Sequence, residues 1–205
     1  MAVAIPTRLW YSAKTMQGTD AHLGWEERAR RRIATCALFE LYAVERTSAR
    51  GKTGEFWVLD APDWVNVVPV TTTEEGEPAL IMVRQFRHGA ELITTEFPAG
   101  LIEPGEEPSA AAARELEEET GYRAGRLTPL NTVLPNPAFM NNRSYTFLAE
   151  DLTRVGGTNL DELEALEPRI VPVSEIERSL GTGEYVNSLT VLGFLWYRSR
   201  GAGAR

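Results

Sequence analysis

The most informative segment of this 205-residue chain reads Gly100-Leu-Ile-Glu-Pro-Gly-Glu-Glu-Pro-Ser-Ala-Ala-Ala-Ala-Arg-Glu-Leu-Glu-Glu-Glu-Thr-Gly-Tyr122. Pro108 suits the first turn of a helix, the alanines that follow are strong helix formers, and Gly121 suits a helix end. At about 100° per residue, Glu115, Glu118 and Glu119 fall on one stripe of that helix. The segment therefore predicts a helix whose last two turns carry three carboxylates on one face.

This arrangement of charge opposes helix stability. Like charges four residues apart repel each other, and the helix dipole disfavours carboxylates near a C-terminus. Such local conflicts are expected where function requires them. Carboxylate oxygens on one face suit a hard cation such as Mg²⁺ or Mn²⁺. Taken alone, the helix leaves a solvated acidic face open as the alternative.

Composition and charge restrict the class of protein. The formal net charge of −8 repels phosphate backbones, so we expect no nonspecific binding to nucleic acid, and an anionic ligand would need an imported cation. The first ten residues lack the pattern of a signal peptide, and no window approaches the roughly 18 apolar residues of a membrane span. A single cysteine, Cys36, excludes an intrachain disulfide and is interpreted as a buried small hydrophobe. These features predict a soluble cytoplasmic protein that does not bind membranes.

The remaining pattern contains many strands and few helices. An irregular arm is expected up to residue 25, and the charged run Glu26 to Arg32 is either a helical turn or a solvated lead-in. Strands are predicted at 34–47, 56–59, 64–71, 79–86, 91–97, 127–134 and 144–149, and helices at 174–180 and 188–198. Because these elements do not alternate strictly, the fold class is α+β.

A family resemblance appears when the helix is considered together with the residues before it. Gly100, five residues, Glu106, seven residues and then Arg114 to Tyr122 match every fixed position of the Nudix box. The chain resembles a Nudix hydrolase over about residues 34–200. This resemblance implies a Nudix-type α/β/α sandwich with a mixed sheet, preceded by an antiparallel β lobe. It also implies that residues 1–70 (arm and lobe) dimerise and bind the base, whereas residues 71–205 form the catalytic domain.

The resemblance also assigns roles to the glutamates. It implies that Glu115, Glu118 and Glu119 hold Mg²⁺, with Mn²⁺ as a substitute, and that the carbonyl of Ala99 adds a ligand. By the same likeness Arg114 orients the glutamates, and Glu106 supports them.

A catalytic base is expected in the acidic loop 161–167, because an attacking water must lose a proton. The family pattern favours Glu164 there, with Glu162 as the alternative. A solvated acidic loop is the plain interpretation of the same residues.

Two features narrow the substrate. The lead-in from Glu96 to Glu103 resembles the ADP-ribose and nucleotide-sugar pyrophosphatase branch, and Pro137 occupies the place of that branch's proline. Its neighbours Asn136 and Ala138 differ from the usual pattern, and Asn142 stands where an acid is expected. These differences predict a broader or shifted nucleotide-sugar specificity.

Further side chains are candidates for substrate contacts. Arg84 and Arg87 are candidates for the phosphates because a guanidinium matches phosphate oxygens in bidentate fashion, and Arg87 is the better match to the family's arginine. Arg143 is a further candidate. Trp57 and Trp64 are suited either to stacking on a base or to core packing. The predicted substrate-binding set is Arg84, Arg87, Glu96, Trp57, Trp64, Pro137 and Asn142.

Together these observations predict a Mg²⁺-dependent enzyme that splits the diphosphate of ADP-ribose or a related nucleoside diphosphate sugar into a nucleoside monophosphate and a sugar phosphate. The resemblance implies a homodimer that acts on a small nucleotide. Two alternatives stay open. One is a Nudix hydrolase of dinucleoside polyphosphates or capped RNA, and the other is a sensor that binds nucleotide sugars without hydrolysing them.

Overall fold

The structure is a computed structural model that describes residues 20–160, 162 and 164–202, and these residues contain ten strands and three helices. Residues 1–19 of the predicted arm lie outside the described residues. A single turn of 3₁₀-helix spans Ala21–Leu23. The elements are β1 Trp25–Thr35, β2 Glu40–Ser48, β3 Thr53–Asp60, β4 Trp64–Thr72, β5 Pro78–Arg87, β6 Leu92–Glu96, β7 Ala99–Leu101, α1 Pro108–Thr120, β8 Tyr122–Val133, β9 Ser144–Arg154, β10 Leu166–Pro172, α2 Val173–Ser179 and α3 Ser188–Ala202.

The larger sheet has seven strands. Its main order is β10-β5-β4-β9-β8, with β6 paired to β5 and β7 paired to β4. The pair β4–β9 is parallel, from Trp64↔Ser144 to Pro69↔Ala149, and the other pairs are antiparallel. The residues from Val65 to Pro69 are all buried, as expected for a central strand covered on both faces. The predicted mixed sheet is confirmed.

Helices cover both faces of this sheet. Side chains alternate along a strand, so Val68 and Met82 lie on one face, where they join Ile176 of α2 and Phe194 of α3 in the main core. Helix α1 contacts β4, β7 and β8 and buries Leu116. The predicted α/β/α sandwich within an α+β chain is confirmed.

The smaller sheet is antiparallel, in the order β1-β2-β3, which confirms the predicted N-terminal lobe. The charged run Glu26 to Arg32 is neither a helical turn nor a lead-in but most of β1. Pairing with β2 determines its conformation, and ion pairs such as Arg32–Glu40 (2.9 Å) accommodate the charge. The strand predicted over 34–47 is instead interrupted between β1 and β2. Cys36 lies in that interruption and is exposed, so the prediction of a buried thiol is wrong.

Contacts divide the chain into two compact units. The smaller unit holds the chain up to Ala61 together with Asn136–Asn141, and the larger unit holds Pro62–Pro135 and Asn142–Arg205. Helix α1 and its surroundings belong to the larger unit. Among the described residues, no helix has both the length and the apolar content needed to cross a membrane.

Candidate active site

Helix α1 begins and ends where its sequence signals place it. Pro108 is the first helical residue, and Gly121 follows the last one with φ of 73°. A Cβ at Gly121 would stand 2.5 Å from the carbonyl oxygen of Gly156, so both the conformation and the close approach require glycine. The Asn159 amide donates to the carbonyl of Glu118 (2.8 Å), and the Val155 amide donates to that of Gly121 (2.9 Å). These contacts attach the acidic end of the helix to residues 155–159.

Arg114 donates hydrogen bonds to three carboxylates, two of them on α1 and one in the loop before it. Its Nε and Nη2 donate to the two carboxylate oxygens of Glu106 (both 3.0 Å), and Nη2 also reaches the carbonyl of Leu101 (3.0 Å). Its Nη1 donates to Glu115 (2.8 Å) and to Glu118 (3.0 Å). The hydrogen bonds from Arg114 hold the pKa of Glu106 below its usual range. One guanidinium therefore links two carboxylates of α1 to Glu106 in the preceding loop and to the end of β7.

Glu119 is the most deeply buried of the three glutamates. Its side chain accepts a hydrogen bond from the backbone N–H of Ala99 (3.0 Å), and the residue is 4% exposed. Burial raises the pKa of Glu119 to about 8; repulsion from Glu115 and Glu164 adds to this rise, whereas the Ala99 bond and Arg87 oppose it. Burial likewise raises the pKa of Glu115, against the attraction of Arg114. At both carboxylates burial outweighs the nearby positive charge, which comes from Arg114 at Glu115 and from Arg87 at Glu119.

Gly100 makes room for one of these carboxylates. A Cβ on this residue would lie 2.1 Å from both Cδ and Oε1 of Glu115 and 2.4 Å from Oε2. Every other residue type would therefore displace the Glu115 carboxylate. The glycine of the Nudix box thus has a steric reason at this position, because the backbone of β7 and the side chain of α1 are in direct contact.

The donor set fits a hard divalent cation. As the side chains stand, no three His, Cys, Asp or Glu groups among the described residues are gathered closely enough to hold an ion. Instead, Arg114 links Glu115 and Glu118, and Glu119 binds the Ala99 amide. The donors are nevertheless all oxygens on one face of α1. Burial, and to a lesser extent repulsion between carboxylates, raises the pKa of Glu115 and Glu119, and a bound cation would favour their ionised forms.

Glu164 acts electrostatically on the same carboxylates. Its negative charge is one of the causes that raise the pKa of both Glu115 and Glu119, so its carboxylate lies within electrostatic range of both. Glu164 and Glu162 are both exposed in the loop before β10.

Arg87 is a second cationic group, after Arg114, that acts on the α1 glutamates. Its Nε and Nη2 donate to the two oxygens of Glu96 (2.9 and 2.6 Å), and its charge opposes the rise in the pKa of Glu119. Glu96 is 2% exposed and also accepts from Thr94 Oγ1 (2.5 Å) and Asn187 Nδ2 (2.8 Å). Burial alone would raise the pKa of Glu96, but these hydrogen bonds outweigh burial and the pKa is lowered. Glu96 is therefore an ionised partner that orients Arg87.

Arg84 lies on the opposite face of the same strand. The register pairs Val83 with Glu96 and Arg84 with Thr95, and neighbouring residues of a strand point to opposite faces. Arg84 donates two hydrogen bonds to Glu184 (2.9 and 2.8 Å). Of the two predicted phosphate-binding arginines, the structure brings only Arg87 to the face that carries Glu96 and the α1 glutamates.

The other predicted substrate residues have varied environments. Trp57 is 53% exposed on β3 of the smaller unit, and Pro137 is exposed in a turn of that unit. Trp64 is half-buried at the start of β4, where its backbone N–H donates to the carbonyl of Arg143 (2.8 Å). Asn142 is 1% exposed and donates to the carbonyl of Pro62 (3.1 Å); its Oδ1 has no hydrogen-bond partner among the described residues.

Two residues that sequence reasoning missed help to hold the site. Asp63 accepts from the Arg143 amide through its side chain (2.7 Å) and from the Ile102 amide through its carbonyl (2.9 Å), so it joins the residue before β9 to the loop before α1. The sequence shows Asp63 only as part of a turn. Asn187 was signalled by its place directly before a predicted helix, where an asparagine is a preferred cap.

A cavity of about 480 Å³ lies elsewhere in the larger unit. Its lining comes from β6, β10, α2 and the loop after α2, and includes Thr95, Arg169, Glu175, Glu184 and Tyr185. None of its lining residues is an α1 glutamate, and its polar groups pair with one another, as in the bond from Tyr185 to Glu175 (2.8 Å). The charged groups around α1, rather than this cavity, are the candidate active site.

Comparisons with known proteins agree with this assignment. A model of the NUDIX domain matches residues 62–189. The chain is 35% identical over 163 residues to "ADP-ribose pyrophosphatase" of Bacillus subtilis (strain 168), covering 79% of this chain and 86% of that protein. It is 32% identical over 145 residues to "CMP-5'-(N-acetyl-N-hydroxy-3-aminopropyl)phosphonate hydrolase" of Streptomyces rubellomurinus (strain ATCC 31215), covering 71% of this chain and 68% of that protein.

A solved structure supports the fold. "Crystal structure of ADP compounds hydrolase" superposes with a TM-score of 0.75 at 24% identity, covering 87% of this chain and 95% of that chain. At this level of identity the likeness establishes the architecture of the chain.

Proposed function

Since the chain belongs to the NUDIX domain family and is a Nudix pyrophosphohydrolase, we propose that it hydrolyses the diphosphate bond of ADP-ribose or a related nucleoside diphosphate sugar. In this reaction water attacks one phosphorus, the P–O–P bond breaks, and a nucleoside monophosphate and a sugar phosphate leave. The similarity to an ADP-ribose pyrophosphatase over most of both chains supports this substrate class. The similarity to a hydrolase of a CMP-linked phosphonate supports an active site that accepts substrates with different bases or different terminal groups.

The single observation that carries the proposal is the arrangement around α1. Three glutamates, the peptide of Ala99 and the guanidinium of Arg87 belong to adjoining elements on one side of the larger sheet. Negative oxygen donors beside a fixed positive group suit a diphosphate that arrives with a cation.

We assign the cation to Glu115, Glu118, Glu119 and the carbonyl of Ala99, with Mg²⁺ as the ion and Mn²⁺ as a substitute. When bound, a divalent ion supplies neutralisation of the diphosphate charge and polarisation of the phosphoryl oxygens. Arg114 donates to both Glu115 and Glu118 and so orients two of the three carboxylates.

The remaining roles fall to Arg87 and Glu164. Arg87 uses Nε and Nη2 on Glu96, so its Nη1 is the part of the fork available to a phosphate oxygen. Glu164 accepts the proton of the attacking water, a role that its electrostatic contact with Glu115 and Glu119 supports.

The N-terminal assignments are also proposals. Residues 1–70 would dimerise and bind the base, in keeping with the exposed antiparallel sheet and with Trp57, which is 53% exposed. Residues 71–205 would form the catalytic domain. A cytoplasmic location and a homodimer complete the proposal.

A substrate panel tests the proposed function. Wild-type protein is incubated with ADP-ribose, GDP-mannose, UDP-glucose, NADH and diadenosine polyphosphates, with Mg²⁺ or with a chelator, and the products are separated by chromatography. We expect Mg²⁺-dependent release of AMP and ribose phosphate from ADP-ribose. The variants Glu118→Gln and Glu119→Gln should lose turnover by orders of magnitude while keeping the wild-type circular dichroism spectrum. Full activity in both variants, or no hydrolysis of any nucleoside diphosphate sugar, would contradict the proposal.

A further inference from the structure

Asn187 makes two kinds of contact at the start of α3. Its side-chain Oδ1 accepts hydrogen bonds from the amides of Leu189 (2.8 Å) and Thr190 (3.3 Å), which caps the helix. Its Nδ2 donates to Oε2 of Glu96 (2.8 Å). A capping residue needs only the first of these contacts, so the second requires another explanation.

The contact with Glu96 completes the environment of that carboxylate. Oε1 accepts from Arg87 Nε (2.9 Å) and Thr94 Oγ1 (2.5 Å), and Oε2 accepts from Arg87 Nη2 (2.6 Å) and Asn187 Nδ2. A carboxylate offers about four acceptor sites, and here all four are used. Thr94 and Asn187 therefore leave Glu96 a single orientation, and the bidentate pair transmits that orientation to the plane of Arg87.

The connection that carries Asn187 is also attached on the other face of the sheet. The carbonyl of Glu184 accepts from the Thr95 amide (2.8 Å), and its carboxylate accepts from Arg84 (2.9 and 2.8 Å) and from Thr95 Oγ1 (3.0 Å). Thr95 and Glu96 are neighbours on β6 and point to opposite faces. Residues 184–187 are thus held twice, and only one of the two attachments leads to Arg87.

We propose that Asn187 is a positioning residue for the diphosphate, acting through Glu96 on the guanidinium of Arg87. The inference rests on the proposed function because it takes Arg87 as the group that binds phosphate. Asn187 itself touches neither the substrate nor the glutamates of α1 in this scheme. Its contribution is to fix the direction in which Arg87 presents its remaining N–H groups.

The test uses two variants that keep the helix cap. Asn187→Ser retains a capping oxygen but is too short to reach Glu96, and Asn187→Asp retains both size and cap but turns an acceptor toward the carboxylate. Glu184→Gln is the matched control, since it weakens the attachment on the opposite face. We expect the KM for ADP-ribose to rise about tenfold in Asn187→Ser, and further in Asn187→Asp, with kcat within about threefold of wild type. Glu184→Gln should keep the wild-type KM.

A second measurement does not depend on turnover. The Nε–H resonance of Arg87 in a ¹H–¹⁵N spectrum, identified by its loss in Arg87→Lys, reports the hydrogen bond to Glu96 directly. We expect this resonance to shift or broaden in both Asn187 variants and to stay in place in Glu184→Gln. If wild-type protein hydrolyses no nucleotide sugar, the proposed function fails, and the resonance alone decides whether Asn187 positions Arg87.

Three outcomes would overturn the inference. The first is a wild-type KM together with an unshifted Arg87 resonance in both variants. The second is a lowered melting temperature in both variants with an unchanged resonance, which would assign Asn187 to helix capping alone. The third is a rise in the KM of Glu184→Gln equal to that in Asn187→Ser, which would assign the effect to general loosening of residues 184–187.

Discussion

Replacing Gly100 with alanine should disable the site while leaving the fold intact. The added Cβ would stand 2.1 Å from Cδ of Glu115, whereas an ordinary contact begins near 3.4 Å, so the carboxylate must move by about 1.3 Å. The atoms that move are the end of a flexible side chain. We therefore expect a loss of about 1–2 kcal/mol in the free energy of unfolding, or roughly 2–8 °C in Tm. A displacement of about 1 Å at a catalytic group lowers turnover by roughly 100-fold.

The assay measures cation binding and turnover at the site, and circular dichroism measures the fold. Free Mn²⁺, followed by its electron paramagnetic resonance signal during titration, measures cation binding without substrate, and AMP release from ADP-ribose measures turnover. Gly89→Ala is the matched control, because a Cβ at Gly89 would meet nothing within 4 Å. We expect Gly100→Ala to bind Mn²⁺ more weakly and to turn over at least 100-fold more slowly, with Gly89→Ala like wild type.

Wild-type Mn²⁺ affinity and turnover in Gly100→Ala would refute the reasoning, since they would show that the position of the Glu115 carboxylate does not matter. Loss of the folded circular dichroism spectrum would refute the claim that the collision is relieved by a side chain rather than by the backbone of β7.

Three further predictions concern single side chains. Glu164→Gln should lower kcat by roughly 100- to 10,000-fold in steady-state assays, as expected for loss of a general base, whereas the same loss in Glu162→Gln alone would transfer the role to Glu162. Arg87→Lys should raise KM several-fold because a lysine cannot form the bidentate contact, and Arg84→Lys should leave KM within about twofold; an equal rise in both variants would contradict the placement of Arg84 on the opposite face. Hydrogen bonds from Arg84 and then Thr95 lower the pKa of Glu184 from 4.5 to about 2, so this carboxylate stabilises the fold above pH 4.5 and loses that effect as the pH falls toward 2. The Tm difference between wild type and Glu184→Gln should therefore shrink over that window in thermal melts, and a difference that is constant from pH 7 to pH 2 would contradict the assignment.

The fold was predictable where local signals agreed with one another. Pro108 and Gly121 bound α1 in the sequence and in the structure alike. The strand β1 was missed because a run of arginines resembles a solvated segment, and only its pairing with β2 makes it a strand. The strand β10 was missed because Pro168 and Pro172 argue against a central strand, although an edge strand tolerates proline.

One part of the candidate site could be predicted from the sequence, namely the part that follows from the repeat of a helix or of a strand. Glu115, Glu118 and Glu119 share a face because of the helical repeat. The alternation of side chains along a strand also predicts that only one of the two arginines faces the site, because Arg84 and Arg87 are three positions apart and must point to opposite faces. The contact between Asn187 and Glu96 joins residues 91 positions apart, and no local pattern indicates it.

The last turn of α1 cannot fray as most helix ends do. The carbonyl of Glu118 accepts the amide of Asn159, the carbonyl of Gly121 directly after the helix accepts the amide of Val155, and Gly121 leads directly into β8. In hydrogen-exchange terms, the amides of Gly121, Val155 and Asn159 should be protected to nearly the same degree, because they open only together. The backbone of that turn therefore loses its conformational freedom when the chain folds rather than when an ion arrives, so an ion has only the carboxylate side chains left to order.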